Sequence, residues 1–437
     1  MSMKIRVQKP RNLTAEVSLP ASKSISNRAL LLAALSGAPT SALTNISDCD
    51  DTRAMLAGLS TKDCVVNIGA AGTAMRFLTA WLSMTSYKVL QAQIAQGEHI
   101  ITGSERMRQR PIGVLVEALR SLGAWIEYVD EEGYPPLHIK AKPLHGGQLS
   151  LPGNVSSQYV SALLMIAPLL EEGLRLSLTG EVVSRPYIEM TMAMMRDFGA
   201  DVSWQDERTV VVAPQPYHAI RYTIESDWSA ASYWYETVLL SDNEHETATL
   251  KGLFDISLQG DSAVRDLFSS LGIQSMPLSQ GSREPRINLV RRGTVCQRLD
   301  WDFTRTPDLV QTLVVACALK SIPFRFTGVQ SLRIKETDRI AALQTELAKL
   351  GVSLENEGDS VLRWEGPEQQ PRARVPYLKP ASGTAIDTYD DHRMAMAFAP
   401  AAFVLGSIDI NNPEVVTKSY PRFWQDLEQA GFILEQL

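Results

Sequence analysis

Histidine and cysteine are scarce in this chain. Its six histidines contain no H-E-x-x-H or comparable spacing, so no metal site is expected. Cys49, Cys64, Cys296 and Cys317 form no C-x-x-C pair and no cluster. In a chain of 437 residues that pattern reads as reduced thiols in a cytoplasmic protein. No apolar run is long enough for a bilayer: the longest, 394–405, is interrupted by Pro400. The opening "MSMKIRVQKPRN" holds no apolar segment of secretory type. A surplus of positive charge is missing too. Lys and Arg number 42 against 49 Asp and Glu, a net charge of −7, with a pI near 5.5. That balance weighs against a nucleic-acid partner. It still allows a small anionic ligand in a local basic cleft.

What is present is a globular composition, 45% hydrophobic and 21% charged. The length exceeds one ordinary core and suggests two to three domains. "PASKSISNRALLLAAL" combines an apolar tail over 29–35 with a head that packs Ser22, Lys23, Ser24, Ser26, Asn27 and Arg28 together. Two readings are open from these residues. One is a plain N-cap. The other is an anion site, because a helix start offers free N–H groups and a positive dipole end where cations are otherwise poor choices. Lys23 and Asn27, like Ser24 and Arg28, are four apart and share one side of the first turns.

A repeat runs through the chain. "PIGVLVEALRSLGAWIEYVDEEGYPPLHIKA", "YIEMTMAMMRDFGADVSWQDERTVVVAP", "DSAVRDLFSSLGIQSMPLSQGSREPRINLV" and "RIAALQTELAKLGVSLENEGDSVLRWEG" each read as an amphipathic helix, a glycine, and two short strands around a polar turn. Gly123, Gly199, Gly272 and Gly351 fall where a left-handed residue would end the helix. "FWQDLEQAGFILEQL" starts the pattern and stops after one strand. Between these segments lie helices apolar on almost every face, which must be buried. Their starts are Ser24, Gly72–Thr73, Ser156–Ser157, Asp227–Ser229, Asp308 and Asp391–His392–Arg393. The expectation is an α/β protein of six β-α-β-α-β-β units, three per domain. One domain spans 21–225. The other joins 1–20 to 226–437, with the strand Lys4–Gln8 pairing with a closing strand in 432–437. The first unit is short: after an outer helix at 52–59, "TKDCVVNIGAAGT" leaves room for one strand and no full hairpin. If the six buried-helix starts converge, they form a polar, electropositive cleft between two domains.

Eight blocks then stand in order: "LPASKSISNRALLLAAL", "GAAGTAMRFL", "ITGSERMRQRPI", "LPGNVSSQYVSALLM", "SRPYIEMT", "RIKETDRI", "DTYDDHRMAMAF" and "TKSYPRFW". Together they resemble the signature blocks of the 5-enolpyruvylshikimate-3-phosphate synthase family over essentially the whole chain. The resemblance implies the two-domain enolpyruvyl transferase fold with an active site in the cleft between the domains. It implies transfer of the enolpyruvyl group of phosphoenolpyruvate to the 5-hydroxyl of shikimate 3-phosphate, with release of phosphate. This is a step of chorismate and aromatic amino acid biosynthesis. It needs no metal and no organic cofactor, and its enzymes are targets of glyphosate. A monomer in the cytoplasm is expected, without nucleic-acid or membrane partners.

By the same resemblance Lys23 touches the anionic groups of both substrates. Ser24, Arg28, Ser156, Ser157, Gln158, Ser184 and Tyr187 bind shikimate 3-phosphate, with Gln158 near both substrates, and Asp308 and Lys335 also reach it. Gly72, Thr73, Arg110, Arg339, Arg393 and Lys418 surround phosphoenolpyruvate, arginine offering a planar fork to carboxylate or phosphate. Asp308 is the base for the 5-hydroxyl, Lys335 and Glu336 lie near the reacting carbons, and Glu336 is the candidate proton donor to the methylene. His392 lies near the clamp. Taken as residues alone, Ser24, Ser156 and Ser157 are ordinary N-caps, Lys23 a surface lysine, Arg28 a surface arginine, Arg339 an exposed helix salt bridge with Glu336 or Lys335, Asp308 a helix-start acid and His392 a satisfied partly buried histidine. Three positions depart from the family pattern: Ala70 where Asn is usual, Phe77 where Pro is common, and Ser331 where Asn is frequent. The UDP-N-acetylglucosamine enolpyruvyl transferase is a weaker match, since no cysteine here lies in a Gly-rich loop. An RNA 3′-phosphate cyclase and a non-catalytic anion-binding relative are weaker still.

Overall fold

The computed structural model describes residues 3–61, 63–84, 98–278, 285–367 and 384–437. The chain divides into two compact units, Ala21–Glu225 and Met1–Pro20 with Ser226–Leu437. Each is built by the repeat read above.

In the unit Ala21–Glu225, strand Val65–Asn67 leads into helix Gly72–Ser83 and returns as Glu98–Thr102, parallel to the first. A second helix, Gly113–Ser121, then feeds the antiparallel hairpin Trp125–Tyr128 and Leu137–Lys140. Gly147–Pro152, helix Ser157–Ile166, Leu174–Thr179, helix Arg185–Asp197, Val202–Trp204 and Thr209–Val212 repeat the course. The repeat holding helices Lys23–Ser36 and Asp50–Ser60 has lost its hairpin. Its sheet is the two-stranded parallel pair Leu43–Thr44 and Tyr222–Thr223, and the strand that follows, Val65–Asn67, joins the next sheet.

The other unit carries three four-stranded sheets. Leu299–Asp302, helix Val310–Leu319, Phe324–Thr327, helix Arg339–Lys349, Glu355–Glu357 and Val361–Trp364 form one complete copy. A second copy runs through Ile273–Pro277 and Arg286–Arg291; the turn expected between those strands lies in 279–284, outside the described residues. The last copy is completed by the chain's start. Lys4–Gln8 sits between Ser407–Asn411 and Ile433–Gln436, antiparallel to both.

Local chemistry explains the element ends. Gly123, Gly199, Gly272 and Gly351 take φ between 84° and 103°, the left-handed region a side chain resists. The helices expected to be apolar all round are enclosed: every residue of Gly72–Ser83, Trp228–Leu240, Val310–Leu319 and His392–Phe398 is buried. Two of their hydroxyls turn back on the helix, Thr79 Oγ1 to the Met75 carbonyl (2.7 Å) and Thr237 Oγ1 to that of Tyr233 (2.6 Å). Each large apolar side chain enclosed this way contributes about 1.5–3 kcal/mol. Among the described residues no helix is long and apolar enough to cross a membrane.

Candidate functional site

Each unit packs three buried helices side by side: Lys23–Ser36, Gly72–Ser83 and Ser157–Ile166 in one, Trp228–Leu240, Val310–Leu319 and His392–Phe398 in the other. Parallel crossovers start four of these helices, Gly72–Ser83, Ser157–Ile166, Val310–Leu319 and His392–Phe398, at the carboxyl end of a strand, so polar starts gather within a unit while apolar bodies form its core.

In the unit Ala21–Glu225, Ser22 Oγ caps the first helix by accepting from the Ile25 amide (3.4 Å), and Ser156 Oγ caps the third by accepting from Gln158 N (3.3 Å). The cap reading therefore holds at both starts, with Ser22 rather than Ser24 as the first cap and Ser156 as the other, and it coexists with a cluster of cations. Lys23 Nζ stands 3.6 Å from the Asp51 carboxylate at the start of the next helix. Gln158 Nε2 donates to Thr73 Oγ1 (3.0 Å), which ties two helix starts together. Arg110 lies against Gly72 so closely that a Cβ there would be 2.6 Å from its Nη1. Arg76 donates to the carbonyls of Gly72 and Pro111, both at 3.2 Å, and lies beside the Tyr159 ring. Burial, then the neighbouring Arg110, lowers the Arg76 guanidinium to about 10. Ser156 is exposed, Ser157, Gln158, Ser24 and Tyr187 are half-buried, and Ser184 is buried in a left-handed conformation at φ 54°.

Arg28 is not the surface arginine that the residues alone suggest. It is 2% exposed. Its Nε donates to Thr191 Oγ1 (2.7 Å), Nη1 to the Ser24 carbonyl (3.0 Å), and Nη2 to Ser161 Oγ (3.0 Å) and the Tyr187 carbonyl (3.4 Å). Phe77 lies under the guanidinium at 5.5 Å, and burial lowers its pKa to about 10. Two of these bonds hold helix starts, at Ser24 and Tyr187, and two reach hydroxyls inside helices, at Thr191 and Ser161, which makes it a buried positive charge behind Ser24 and Tyr187 more than an open hand.

In the unit of Met1–Pro20 and Ser226–Leu437 the expected residues form one ion network. Asp308 sits in the turn Pro307–Leu309 that opens its helix. Its carboxylate accepts from Arg339 Nη1 (3.1 Å) and Arg393 Nη2 (2.9 Å), with Lys335 Nζ at 3.8 Å. Burial would raise this carboxyl, but Arg393, Lys335 and Arg339 outweigh it and hold it well below the usual carboxylate range. Arg339 is buried among three carboxylates. Nε reaches Asp391 (2.7 Å) and Nη2 reaches Glu336 (2.8 Å), besides the bond to Asp308. Burial disfavours that charge, yet Asp391, Glu336 and Asp308 together raise its pKa. Lys418 Nζ is 3.6 Å from the other Glu336 oxygen. Arg393 also donates to Tyr233 Oη (3.3 Å). Burial lowers the Lys335 ammonium. The reading of Arg339 as an exposed helix ion pair is corrected: it pairs with Glu336, but at 1% exposure it is the buried hub of the network.

His392 is enclosed more completely than the partly buried histidine read from the residues alone. It is fully buried on the first turn of its helix, with Nδ1 3.6 Å from Asp391, and so stands behind the network rather than on its accessible side.

Two acids, Asp51 and Asp261, were missed, and a third, Asp391, was read only as part of a helix start. Asp51 has no local signal, since its partner Lys23 lies on another helix. Asp391 caps its helix, accepting from Arg393 N (2.9 Å), and its place in "DDHR" was the available clue. Asp261 accepts from Ser229 Oγ and is pushed up to about 7 by burial and by Asp308.

A repeated mixed-sheet fold, with one cation-rich group of helix starts and one lattice of arginines, lysines and carboxylates, defines an α/β protein equipped to hold small polyanions and move protons among them. The comparisons with known proteins agree. The family described as EPSP synthase (3-phosphoshikimate 1-carboxyvinyltransferase) matches over residues 7–61 and 59–427, and the chain belongs to that family. It is 53% identical over 430 residues to the 3-phosphoshikimate 1-carboxyvinyltransferase of Bacteroides fragilis strain YCH46, covering 98% of each chain. It is 37% identical over 451 residues to the enzyme of that name from Photobacterium damsela subsp. piscicida, covering 97% of this chain and 98% of the relative. The structure of EPSP synthase from Acinetobacter baumannii shares the fold at a TM-score of 0.76, with 21% identity and both chains covered in full.

Proposed function

We propose that the two groups of residues serve one addition–elimination reaction, in which phosphoenolpyruvate gives its enolpyruvyl group to the 5-hydroxyl of shikimate 3-phosphate. Family membership carries the overall reaction, that of a 3-phosphoshikimate 1-carboxyvinyltransferase acting in the shikimate pathway. The residue roles are our reading of the geometry.

Asp308 accepts the proton of the 5-hydroxyl as its oxygen adds to C2 of phosphoenolpyruvate. Lys335 and Glu336 supply a proton to the methylene carbon. Elimination returns that proton to the same pair and expels phosphate, which carries away the proton Asp308 had taken. Arg110, Arg339, Arg393 and Lys418 neutralise phosphoenolpyruvate, with Gly72 and Thr73 bringing backbone close to it. Lys23 serves both substrates. Ser24, Ser156, Ser157, Gln158, Ser184 and Tyr187 hold shikimate 3-phosphate, with Arg28 supporting them from behind. The single observation that supports these roles best is the Asp308 carboxylate set between Arg339 and Arg393 beside Lys335. An empty site must hold such a carboxylate ionised. A bound phosphate competes for the arginines, loosens that hold and makes Asp308 a better base.

Phosphate release from phosphoenolpyruvate, followed with and without shikimate 3-phosphate, tests the reading. Release that requires shikimate 3-phosphate is expected. Release that requires UDP-N-acetylglucosamine instead, or no acceptor, would overturn it. We also propose a cytoplasmic monomer, in keeping with four free cysteines; sedimentation at working concentration tests the oligomeric state.

A further inference from the structure

The turn that leads into helix His392–Phe398 is held in a conformation its own residues do not favour. Asp391 N donates to the Thr388 carbonyl (2.8 Å), closing a turn whose central residues, Tyr389 and Asp390, both have φ of 54°. Two successive left-handed residues suit glycine or asparagine; a tyrosine there is strained by its Cβ. Something outside the turn must hold it.

That support comes from helix Arg339–Lys349. Glu346 is fully buried. One of its oxygens accepts from Tyr389 Oη (2.6 Å) and the other from the Asp387 amide (3.0 Å). Lys349 Nζ bonds Glu346 (2.7 Å), Asp387 (2.8 Å) and the Ala385 carbonyl (3.1 Å). Asn411 Nδ2 adds a bond to the other Asp387 oxygen (2.6 Å). Seven residues separate Arg339 from Glu346, two helical turns, so both project from one face. That face grips the turn at both ends: Glu346 holds Asp387 and Tyr389, and Arg339 holds Asp391.

We propose that Glu346 and Tyr389 are positioning residues for the phosphoenolpyruvate subsite, setting Asp391 and through it Arg339 and Arg393. This rests on the reading above that Arg339 and Arg393 meet phosphoenolpyruvate. Neither Glu346 nor Tyr389 need touch substrate. Asp391 is the relay, since it accepts from the side chain of Arg339 and the amide of Arg393 at once. Without the Tyr389–Glu346 bond the turn relaxes toward a commoner conformation and Asp391 loses its fixed position. The arginine forks then meet the substrate less well.

The test is Tyr389→Phe, which removes one hydroxyl from a side chain 37% exposed and leaves the core intact. Loss of that bond is expected to raise KM for phosphoenolpyruvate roughly two- to tenfold. The dissociation constant of shikimate 3-phosphate stays at its wild-type value, while the melting temperature falls slightly, because buried Glu346 loses one donor and keeps the Asp387 amide and Lys349. Glu346→Gln, which keeps one acceptor oxygen, is expected to fall on the same side, with a larger rise in KM than Tyr389→Phe. Arg393→Lys is the control for the subsite itself. Wild-type constants in Tyr389→Phe beside a raised KM in Arg393→Lys overturn the positioning role and leave the subsite standing. So does an equal weakening of both substrates with a larger fall in melting temperature, which marks general loosening. Wild-type constants in all three variants overturn the subsite reading along with this one.

Discussion

Replacing Gly72 by alanine tests how the phosphoenolpyruvate subsite is built. The added Cβ would sit 2.6 Å from Arg110 Nη1 and 3.1 Å from both Cζ and Nη2, where ordinary contact begins at 3.4 Å. The guanidinium must therefore withdraw by about 0.8 Å, and as the far end of a flexible side chain it can do so. A shift of that size lengthens a charge-assisted bond from about 2.8 Å to beyond 3.5 Å, where it no longer holds. Losing one or two such bonds costs about 1.5–3 kcal/mol, a rise in KM for phosphoenolpyruvate of roughly tenfold to a hundredfold. Stability should move the other way. Gly72 opens its helix without a positive φ, so alanine favours the folded state through the unfolded chain by about 0.4–1 kcal/mol, offset by what strain the arginine retains. Steady-state kinetics with each substrate varied, together with a thermal melt, decide the matter. The expected pattern is a raised KM for phosphoenolpyruvate, an unchanged KM for shikimate 3-phosphate and a melting temperature at or above that of wild type. An unchanged KM with a lower melting temperature would refute the argument, because Gly72 would then serve only the turn into the helix.

Asp308→Asn keeps the shape of the side chain and removes the base, so kcat should fall by about two to four decades while shikimate 3-phosphate still binds by calorimetry. Near-normal turnover would reduce Asp308 to a helix-start acid. Asp391→Ala leaves Arg339 buried without its shortest ion pair and removes a helix cap, so denaturant unfolding should show a loss of about 3–5 kcal/mol. Glu236 is fully buried, neither oxygen has a hydrogen-bond partner among the described residues, and burial raises its carboxyl well above the usual range. The folded chain keeps this proton where the unfolded chain releases it, so wild type loses about 1.4 kcal/mol per pH unit above the unfolded value near 4.5, up to its folded value. Glu236→Gln should carry no such slope. Its melting temperature should gain on wild type as pH rises from 5 to 8, and parallel profiles would sink the assignment.

The elements themselves were legible because their causes are local. A helix stops at Gly123 or Gly351 because only that backbone turns left-handed cheaply, and Asp227 and Asp391 cap helices through amides two or three residues away. Helices apolar on every face announce their own burial, and the absent hairpin after Ser60 was visible as missing length. Site chemistry was legible only as residue types in ordered blocks. Which charges meet was decided by packing. Arg339 draws its three carboxylates from positions 308, 336 and 391, two of them on other elements. Lys23 finds Asp51, Arg110 comes to rest on Gly72, and Arg28 turns inward onto Thr191, Ser161 and Phe77. His392 follows the core face of its helix and is buried, although its neighbour Arg393 reaches Asp308. Periodicity and capping act over a few residues and can be read along the chain. Ion pairing acts over a few ångströms between helices brought together by a buried core, and its partners exist only once that core has formed.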